Sequence, residues 1–566
     1  MLITQVLQAV LPLCTLYLIK LIVDSLTAQT DTLDFQIILQ YIVLFGVLHL
    51  VQAIVKNYQQ LISETQQQLV TDYMSTIIID KVVDIDISYH ENAQYHDTFH
   101  QVQGQAVYRP VQILKNLSDL LRNGLLLASL AGLLVFLHWG IAFVLIAFGL
   151  PIAGVKWYYS KKLFDWEKQR ISLEREASYL NEILTEGNYA KEVQIFNLGD
   201  PIKEQFVKVR KVLFTEKYGI NKQRARSGFI AQSLNILAMT ITYGFIAWRT
   251  FQGLITIGDL VMYFQAFQRG QSAIQQALTS VVGLYNNRLF LSHLFELLNI
   301  ESLLKKPKHP TPLPAIIQEG ITLEKVDFKY PGTTRNVLKD INLTFKKGQV
   351  VALVGENGSG KTSLVKLLCR LYDPEKGAIY WDGISIKDFR LKELRQKISV
   401  IYQDFEKYHF SVSDNIRISD WQQPIQEQTI KDATYKAGAS TFIEQLPNKF
   451  DQQLGRLFMG GAELSGGQWQ KIALARAFYK EAEVIILDEP SSAIDPLAEA
   501  AIFEHFKKLA KDKILILVTH RLYNLKMADS IVVLQEGSII EQGNHEELVA
   551  EEGLYLKMFE KQVKNN

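Results

Sequence analysis

Apolar positions are distributed unevenly along this chain of 566 residues. They form long runs in the first half and short, β-branched runs in the second. The long runs predict six spans, at residues 3–26, 36–56, 117–137, 139–159, 229–249 and 259–284. A helix of about 20 apolar residues crosses a bilayer core. Helices are the expected form, because backbone groups in hydrocarbon must satisfy one another. One such run also suits a buried helix of a large soluble protein, but six in one half-chain do not. Spans one and six are the least apolar.

The intervals between runs alternate in length. Spans three and four nearly touch at His138–Gly140, and about ten residues join spans one to two and five to six. About 60 residues separate spans two and three, and about 70 separate four and five. These long intervals are charged and helical in pattern, so they predict membrane helices continued as cytoplasmic hairpins of about 40 Å, at 1.5 Å per residue. Their turns fall near Tyr89–Asp97 and Gly187–Glu192. Lys56, Lys115, Arg122, Lys161 and Lys162 flank the spans on that side and predict a cytoplasmic location for the long segments and both termini. Two polar features interrupt the spans. Lys20 and Asp24 stand four apart and predict an intrahelical pair. Span six carries Gln265, Gln268, Arg269, Gln271, Gln275 and Gln276. A charge in hydrocarbon needs water or a partner. These residues therefore line a wet cavity, act as helix–helix glue, or mark a span drawn too far toward the cytoplasm.

After residue 302 the pattern changes. Residues 303–318 hold four prolines and three lysines and read as a linker, so the expected regions are 1–302, 303–318 and 319–566. Strands are predicted at 321–330, 350–354, 484–487 and 514–518. The last three are unbroken apolar runs, the mark of a parallel strand buried on both faces. Residues 351–363 read VALVGENGSGKTS. This is G-x-x-x-x-G-K-T between a strand and a helix, the setting in which backbone N–H groups wrap phosphates. Gly355, Asn357, Gly358, Ser359, Gly360 and Ser363 build that loop, Lys361 reaches the β- and γ-phosphates, and Thr362 is a ligand for Mg²⁺. Residues 484–490 read VIILDEP. Adjacent acids at the end of a buried strand are costly without a cation. Asp488 is therefore assigned to Mg²⁺ and Glu489 to the attacking water. His520 follows the strand at 514–518 and is a candidate contact to the γ-phosphate or that water.

Composition narrows the reading. The net charge is +1, which makes no case for nucleic-acid binding. The two cysteines, Cys14 and Cys369, support neither a disulfide framework nor a thiolate metal cluster. The first 26 residues lack the basic start and small-residue cleavage pattern of a signal peptide.

With LSGGQ at 464–468, the chain resembles an ABC exporter half-transporter over nearly its whole length, most specifically across residues 320–545. The implied fold is a multi-domain membrane protein. A six-helix transmembrane domain with long cytoplasmic extensions precedes an α/β P-loop ATPase domain of ABC type. The resemblance implies ATP and Mg²⁺ as cofactors and several residue roles. Tyr330 stacks on adenine. Gln403, in SVIYQDF, senses Mg²⁺ or water. Ser465, Gly466, Gly467 and Gln468 cap the γ-phosphate held by a second copy, and Asp495 lies in the loop joining the two sites. Glu489, Gln403 and His520 are the catalytic set, and Thr362, Gln403 and Asp488 the metal set. The turns near Glu91 and Tyr189 resemble coupling helices.

Since every catalytic position is of the active type, a homodimer is the economical form, with a heterodimer as the alternative. The expected function is export of an amphipathic lipid, drug or peptide across the cytoplasmic membrane. The alternative is a membrane-anchored ATPase that senses or regulates. Two departures from the family stand out. The family usually has an amphipathic elbow helix before the first span, whereas this sequence starts almost at the span, so either the start site is late or the elbow is absent. Residues 454–463, LGRLFMGGAE, lack the usual Gly-Glu pattern. No cysteine-protease domain precedes the first span either, which argues against leader-peptide cleavage by this chain.

Overall fold

The computed structural model describes residues 2–27, 35–91, 99, 102, 104–106, 108–489, 496–522, 525 and 528–565. They fall into two compact units, Met1–Asp84 with Gln94–Ile300, and Ile85–Ala93 with Glu301–Asn566.

The first unit is helical. In chain order its helices are α1 (Leu2–Thr27) and α2 (Phe35–Asp84), then, after a short α3 (Ile87–His90) that belongs to the second unit, α4 (Arg109–Leu137) and α5 (Trp139–Gln169). They continue with α6 (Ile171–Thr185), α7 (Ala190–Ile195), α8 (Gly199–Phe251), α9 (Ile257–Asn286) and α10 (Arg288–Leu298). Among the described residues α1, α2, α4, α5 and α8 are long and apolar enough to cross a membrane. The sixth expected span is the 30-residue α9, whose length suffices. Its glutamines and Arg269 dilute the apolar run, so five long apolar helices, and not six, stand clear of the rest. The long intervals are indeed helical extensions. At 1.5 Å per residue, the 50 residues of α2 and 53 of α8 each run about 75–80 Å.

Local chemistry explains the breaks. His138 is extended between α4 and α5, and its Nδ1 accepts from the Gly140 N–H at 3.0 Å, capping α5. Thr256 and Asp259 form a capping box at the start of α9. Leu16, Leu130, Leu134, Ile246, Ala266 and Phe267, each at most 2% exposed, form the heart of the bundle. On the extensions, Arg170 and the Trp166 indole both donate to Glu216, at 2.7 and 2.8 Å, which pins α5 to α8.

One sequence expectation is corrected here. Lys20 does not pair with Asp24. Its Nζ lies 2.6 Å from Asp259, and Asp24 accepts from the Gly258 N–H at 2.9 Å. The start of α9 has unpaired N–H groups and a positive dipole end, which draws the carboxylate away. Gly258 permits the approach, since a Cβ there would come within 2.4 Å of the Lys20 carbonyl.

The second unit holds two sheets. Strands β1 (Gly320–Phe328), β2 (Leu338–Lys346), β4 (Lys376–Trp381) and β5 (Ile384–Ser385) form an antiparallel sheet in the order β2-β1-β4-β5. The other sheet uses β3 (Val350–Gly355), β6 (Ile398–Ile401), β7 (Val484–Asp488), β8 (Ile514–Val518), β9 (Ser530–Gln535) and β10 (Ser538–Gly543), in the order β10-β9-β3-β8-β7-β6. Its pairs are parallel except β9–β10. Strands β3, β7 and β8 are buried at every residue, as their unbroken apolar runs require. Register sets Leu353 beside Val518 and Asp488 beside Val518, so the carboxyl ends of β3, β8 and β7 emerge together.

The proline-rich stretch expected as a linker is packed. Leu304 and Ile317 are buried, and Arg370 donates to the Lys305 carbonyl at 3.0 Å. Asp86, just before α3, accepts from Ser302 Oγ at 3.0 Å and from the Leu303 and Leu304 N–H groups at 2.5 and 3.2 Å. Asp86→Ala leaves those donors unpaired, the Leu304 N–H among them being buried. It should destabilise this unit by about 1–3 kcal/mol, read as a lower melting temperature of the purified protein. An unchanged melting curve removes Asp86 as the tie.

Candidate functional site

The sheet ends assemble a phosphate-binding cradle. The loop from Gly355 to Gly360 leaves β3 and enters the helix Lys361–Leu368. Gly355 has φ +151, and a Cβ on it would fall 2.2 Å from the Leu534 carbonyl, so this turn accepts only glycine. Ser359 is 4% exposed and its Oγ has no hydrogen-bond partner among the described residues. An orphaned hydroxyl in such a loop is a group awaiting a ligand. Lys361 is 7% exposed and donates to the carbonyls of Gly355 and Glu356 at 2.8 and 3.0 Å. Burial holds its ammonium below the usual range, despite Glu489 and Asp488 nearby.

Thr362 Oγ1 donates to Asp488 Oδ2 at 3.2 Å. Asp488 is 3% exposed. Burial pushes its carboxyl up to about 6, with Thr362 and Lys361 opposing and the Glu489 charge adding to the rise. Adjacent hydroxyl and carboxylate oxygens suit a hard cation such as Mg²⁺. Among the described residues no cluster of three His, Cys, Asp or Glu could hold a metal alone. That fits an ion that takes most of its ligands from phosphate and water.

Glu489 follows β7 with φ +50, a left-handed conformation costly for a residue with a Cβ. Its N–H bonds the Val518 carbonyl at 2.9 Å and holds it there. The turn aims the carboxylate between two partners. Gln403 Nε2 donates to one oxygen at 2.8 Å, and His520 Nε2 lies 2.6 Å from the other. The three residues nominated as catalytic therefore meet at one carboxylate, although 86 residues separate Gln403 from Glu489. The Gln562 amide bonds the His520 carbonyl.

Tyr330 OH meets Ser363 Oγ at 2.9 Å, which fixes the ring beside the phosphate-loop helix. Ser465, Gly466, Gly467 and Gln468 open the helix Gly466–Tyr479, and Ser465 and Gln468 form a reciprocal capping box. Among the described residues, the polar side-chain contacts of Ser465 and Gln468 are to each other, not to the phosphate loop. Asp495 lies outside the described residues, as does the stretch Asn92–Asp97 of the expected turn Tyr89–Asp97.

Sequence reasoning missed a cluster beside Tyr330. Lys366, on the phosphate-loop helix, sits 5.3 Å from the Tyr330 ring centre and 2.7 Å from the Glu91 carboxylate. Tyr372 OH donates to the other Glu91 oxygen at 2.5 Å. Burial works against ionised Glu91, but Lys366 and Tyr372 outweigh it and hold the carboxyl below the usual range. Burial and the same carboxylate push the Tyr372 phenol up. No local pattern announces a contact that spans 275 residues.

A strand–loop–helix phosphate cradle, a buried acid beside a threonine, and a second acid bracketed by glutamine and histidine define a P-loop ATPase unit. Here it follows a helical unit with several membrane-crossing helices. The chain belongs to the ABC transporter family. The family pattern of the ABC transporter transmembrane region matches residues 1–270, and that of the ABC transporter proper matches 338–492. It is a half-transporter, with membrane and ATP-binding regions fused in one multi-pass chain of the inner membrane.

Among its relatives is the subtilin transport ATP-binding protein SpaT of Bacillus subtilis, 30% identical over 98% of this chain and 90% of that one. The nisin transport ATP-binding protein NisT of Lactococcus lactis subsp. lactis is 28% identical over 99% and 92%. An ATP-dependent lipid A-core flippase of Acinetobacter baylyi is 32% identical over 79% and 76%. The fold matches the structure of a bacterial Atm1-family ABC exporter with ATP bound, with a TM-score of 0.84, 21% identity, and coverage of 99% and 98%.

The raised Asp488 value has a cost. A carboxyl that binds its proton more tightly when folded loses stability as pH rises from about 4 through about 6, and the loss is complete at neutral pH. Asp488→Asn should therefore raise the melting temperature of the nucleotide-free protein at pH 7, by an increment worth about 1–3 kcal/mol, and by less at pH 5. A variant that melts lower than the parent at pH 7 would refute the burial cost.

Proposed function

We propose that this chain exports an amphipathic substrate, a peptide in the first instance, as one half of an ATP-driven dimer. The observation that carries the catalytic reading is the Glu489 carboxylate held between Gln403 and His520 at the end of β7. The peptide reading is supported by the subtilin and nisin transport proteins, which align with almost the whole chain, whereas the lipid A-core flippase of Acinetobacter baylyi aligns with 79% of it. The membrane region uses six spans, α9 being the sixth, and its polar face turns away from lipid.

ATP enters with its phosphates against the N–H groups of the Gly355–Gly360 loop and its base on Tyr330. Lys361 exchanges the carbonyls of Gly355 and Glu356 for phosphate oxygens, a stronger, charge-assisted pairing. Thr362, Asp488 and Gln403 would hold Mg²⁺, which when bound neutralises phosphate charge. Ser465, Gly466, Gly467 and Gln468 of the second copy close over the γ-phosphate with a helix N-terminus. Asp495 belongs to the loop that joins the two sites. Glu489 accepts a hydrogen bond from the attacking water and takes its proton, while His520 and Gln403 keep the carboxylate aimed. Loss of the γ-phosphate removes the anion that bridges the two copies, and the pair opens. A heterodimer with a less active partner would work by the same steps.

Glu91 is the coupling residue of this scheme. Its carboxylate grips Lys366 and Tyr372, and Lys366 faces the Tyr330 ring. Glu91 lies in the same compact unit as Lys366 and Tyr372, and its two bonds join the α3 segment to the phosphate-loop region.

Glu489→Gln should retain ATP binding and lose nearly all turnover, a fall of at least 10²-fold on the scale of a lost general base. Steady hydrolysis by the purified variant would remove Glu489 from its role. Peptide export is tested by ATP-dependent uptake of peptide into inside-out vesicles, and uptake of lipid alone would redirect the substrate reading. Glu91→Gln should lower the ratio of peptide-stimulated to basal ATPase severalfold. An unchanged ratio would take Glu91 out of the coupling path.

A further inference from the structure

The first unit contains a cavity of about 790 Å³ lined by α1, α2, α4 and α9, within the range of small-molecule sites. Its walls are polar. Gln52, Lys56, Gln59, Ser63 and Gln67 line it from α2. Their spacing of four, three, four and four residues places them on one helix face. Gln268, Ser272 and Gln276 do the same from α9, with Arg269 beside them. A polar stripe on a membrane helix persists where it meets water, a partner or a ligand.

Two observations point to a ligand. Gln52 Nε2 and Gln59 Oε1 are buried without a hydrogen-bond partner among the described residues, an amide donor and an amide acceptor on the same wall. The charges are also unbalanced. Arg122 is paired with Asp119 at 3.0 Å, and Glu64 accepts from Gln60 at 2.9 Å. Lys56, Lys115 and Arg269 have no carboxylate within ion-pair distance among the described residues, and Arg269 is held only by the Pro12 carbonyl, at 3.3 Å. That bond orients the guanidinium and leaves most of its five donors free.

We propose that this cavity binds an extended peptide segment carrying a free carboxylate. The glutamine amides pair with main-chain amides, whose donor and acceptor they mirror, and Arg269 with Lys56 and Lys115 receives the carboxylate. The assignment deepens the export reading and rests on it. A neutral drug would use the amides and leave three cations unanswered. An anionic lipid headgroup would use the cations and leave the unpaired Gln52 and Gln59 atoms unexplained.

The test uses the full-length protein in lipid nanodiscs. The probes are a fluorescent dodecapeptide with a free C-terminal carboxylate and its C-terminally amidated twin. The free acid should bind about tenfold more tightly, the scale of one charge-assisted pair. Arg269→Gln should abolish that preference, Arg269→Lys should restore part of it, and Lys56→Gln, at an exposed position, should reduce it without risk to the fold. Equal binding of both probes, or a preference intact in both Arg269→Gln and Lys56→Gln, overturns the assignment. So does displacement of the peptide by lipid A at equal or lower concentration, which would make this a phosphate-lipid site. Vesicle uptake separates the two readings. Peptide uptake with the acid preference unaltered in both Arg269→Gln and Lys56→Gln sinks the cavity and spares export. Binding that follows the prediction with no uptake by the parent protein sinks export and spares the cavity.

Discussion

Putting charge where water cannot follow is the constraint on which this molecule depends. Lys361, at the start of the phosphate-loop helix, and Asp488, at the end of the otherwise apolar β7, are at 7% and 3% exposure. Neither is comfortable there. Burial lowers the one and raises the other toward neutrality, and Ser359 Oγ has no partner among the described residues. In the reading proposed above, a triphosphate with its cation would answer all three at once, so nucleotide binding would relieve a strain that the parallel packing of β3, β8 and β7 maintains.

The same principle organises the helical unit. Polar groups there are either answered locally or gathered. Asp24 goes to the N-terminus of α9, Lys20 to Asp259, and Glu216 to Arg170 and Trp166. Two of the atoms left without a partner among the described residues, Gln52 Nε2 and Gln59 Oε1, share one cavity face. The dilution that keeps α9 from standing out as a span is also what makes its inner face useful.

Much of this could be read from the sequence, for a physical reason. Phosphate loops and buried strands are local patterns, so residues 350–363 and 484–489 declared their strand, loop and charge directly. Continuation of spans into 50-residue helices was legible because the intervals stayed helical in pattern while losing apolarity. Reading failed where partners are distant. Lys20 and Asp24 look like a pair at helical spacing, and only the arrival of the α9 terminus redirects them. Glu91, Lys366 and Tyr372 carry no shared motif, since their meeting depends on how the short segment holding α3 folds within the second unit. The proline-rich stretch looked like a free connector because composition is silent about Asp86, which ties it down.

The reciprocal bonds between Ser465 and Gln468 have a kinetic meaning. Each satisfies the loose end of the other, so this helix start is complete within the chain itself. A start closed in this way has no free end to order, so in the dimer we propose it would dock as a rigid body and part without refolding.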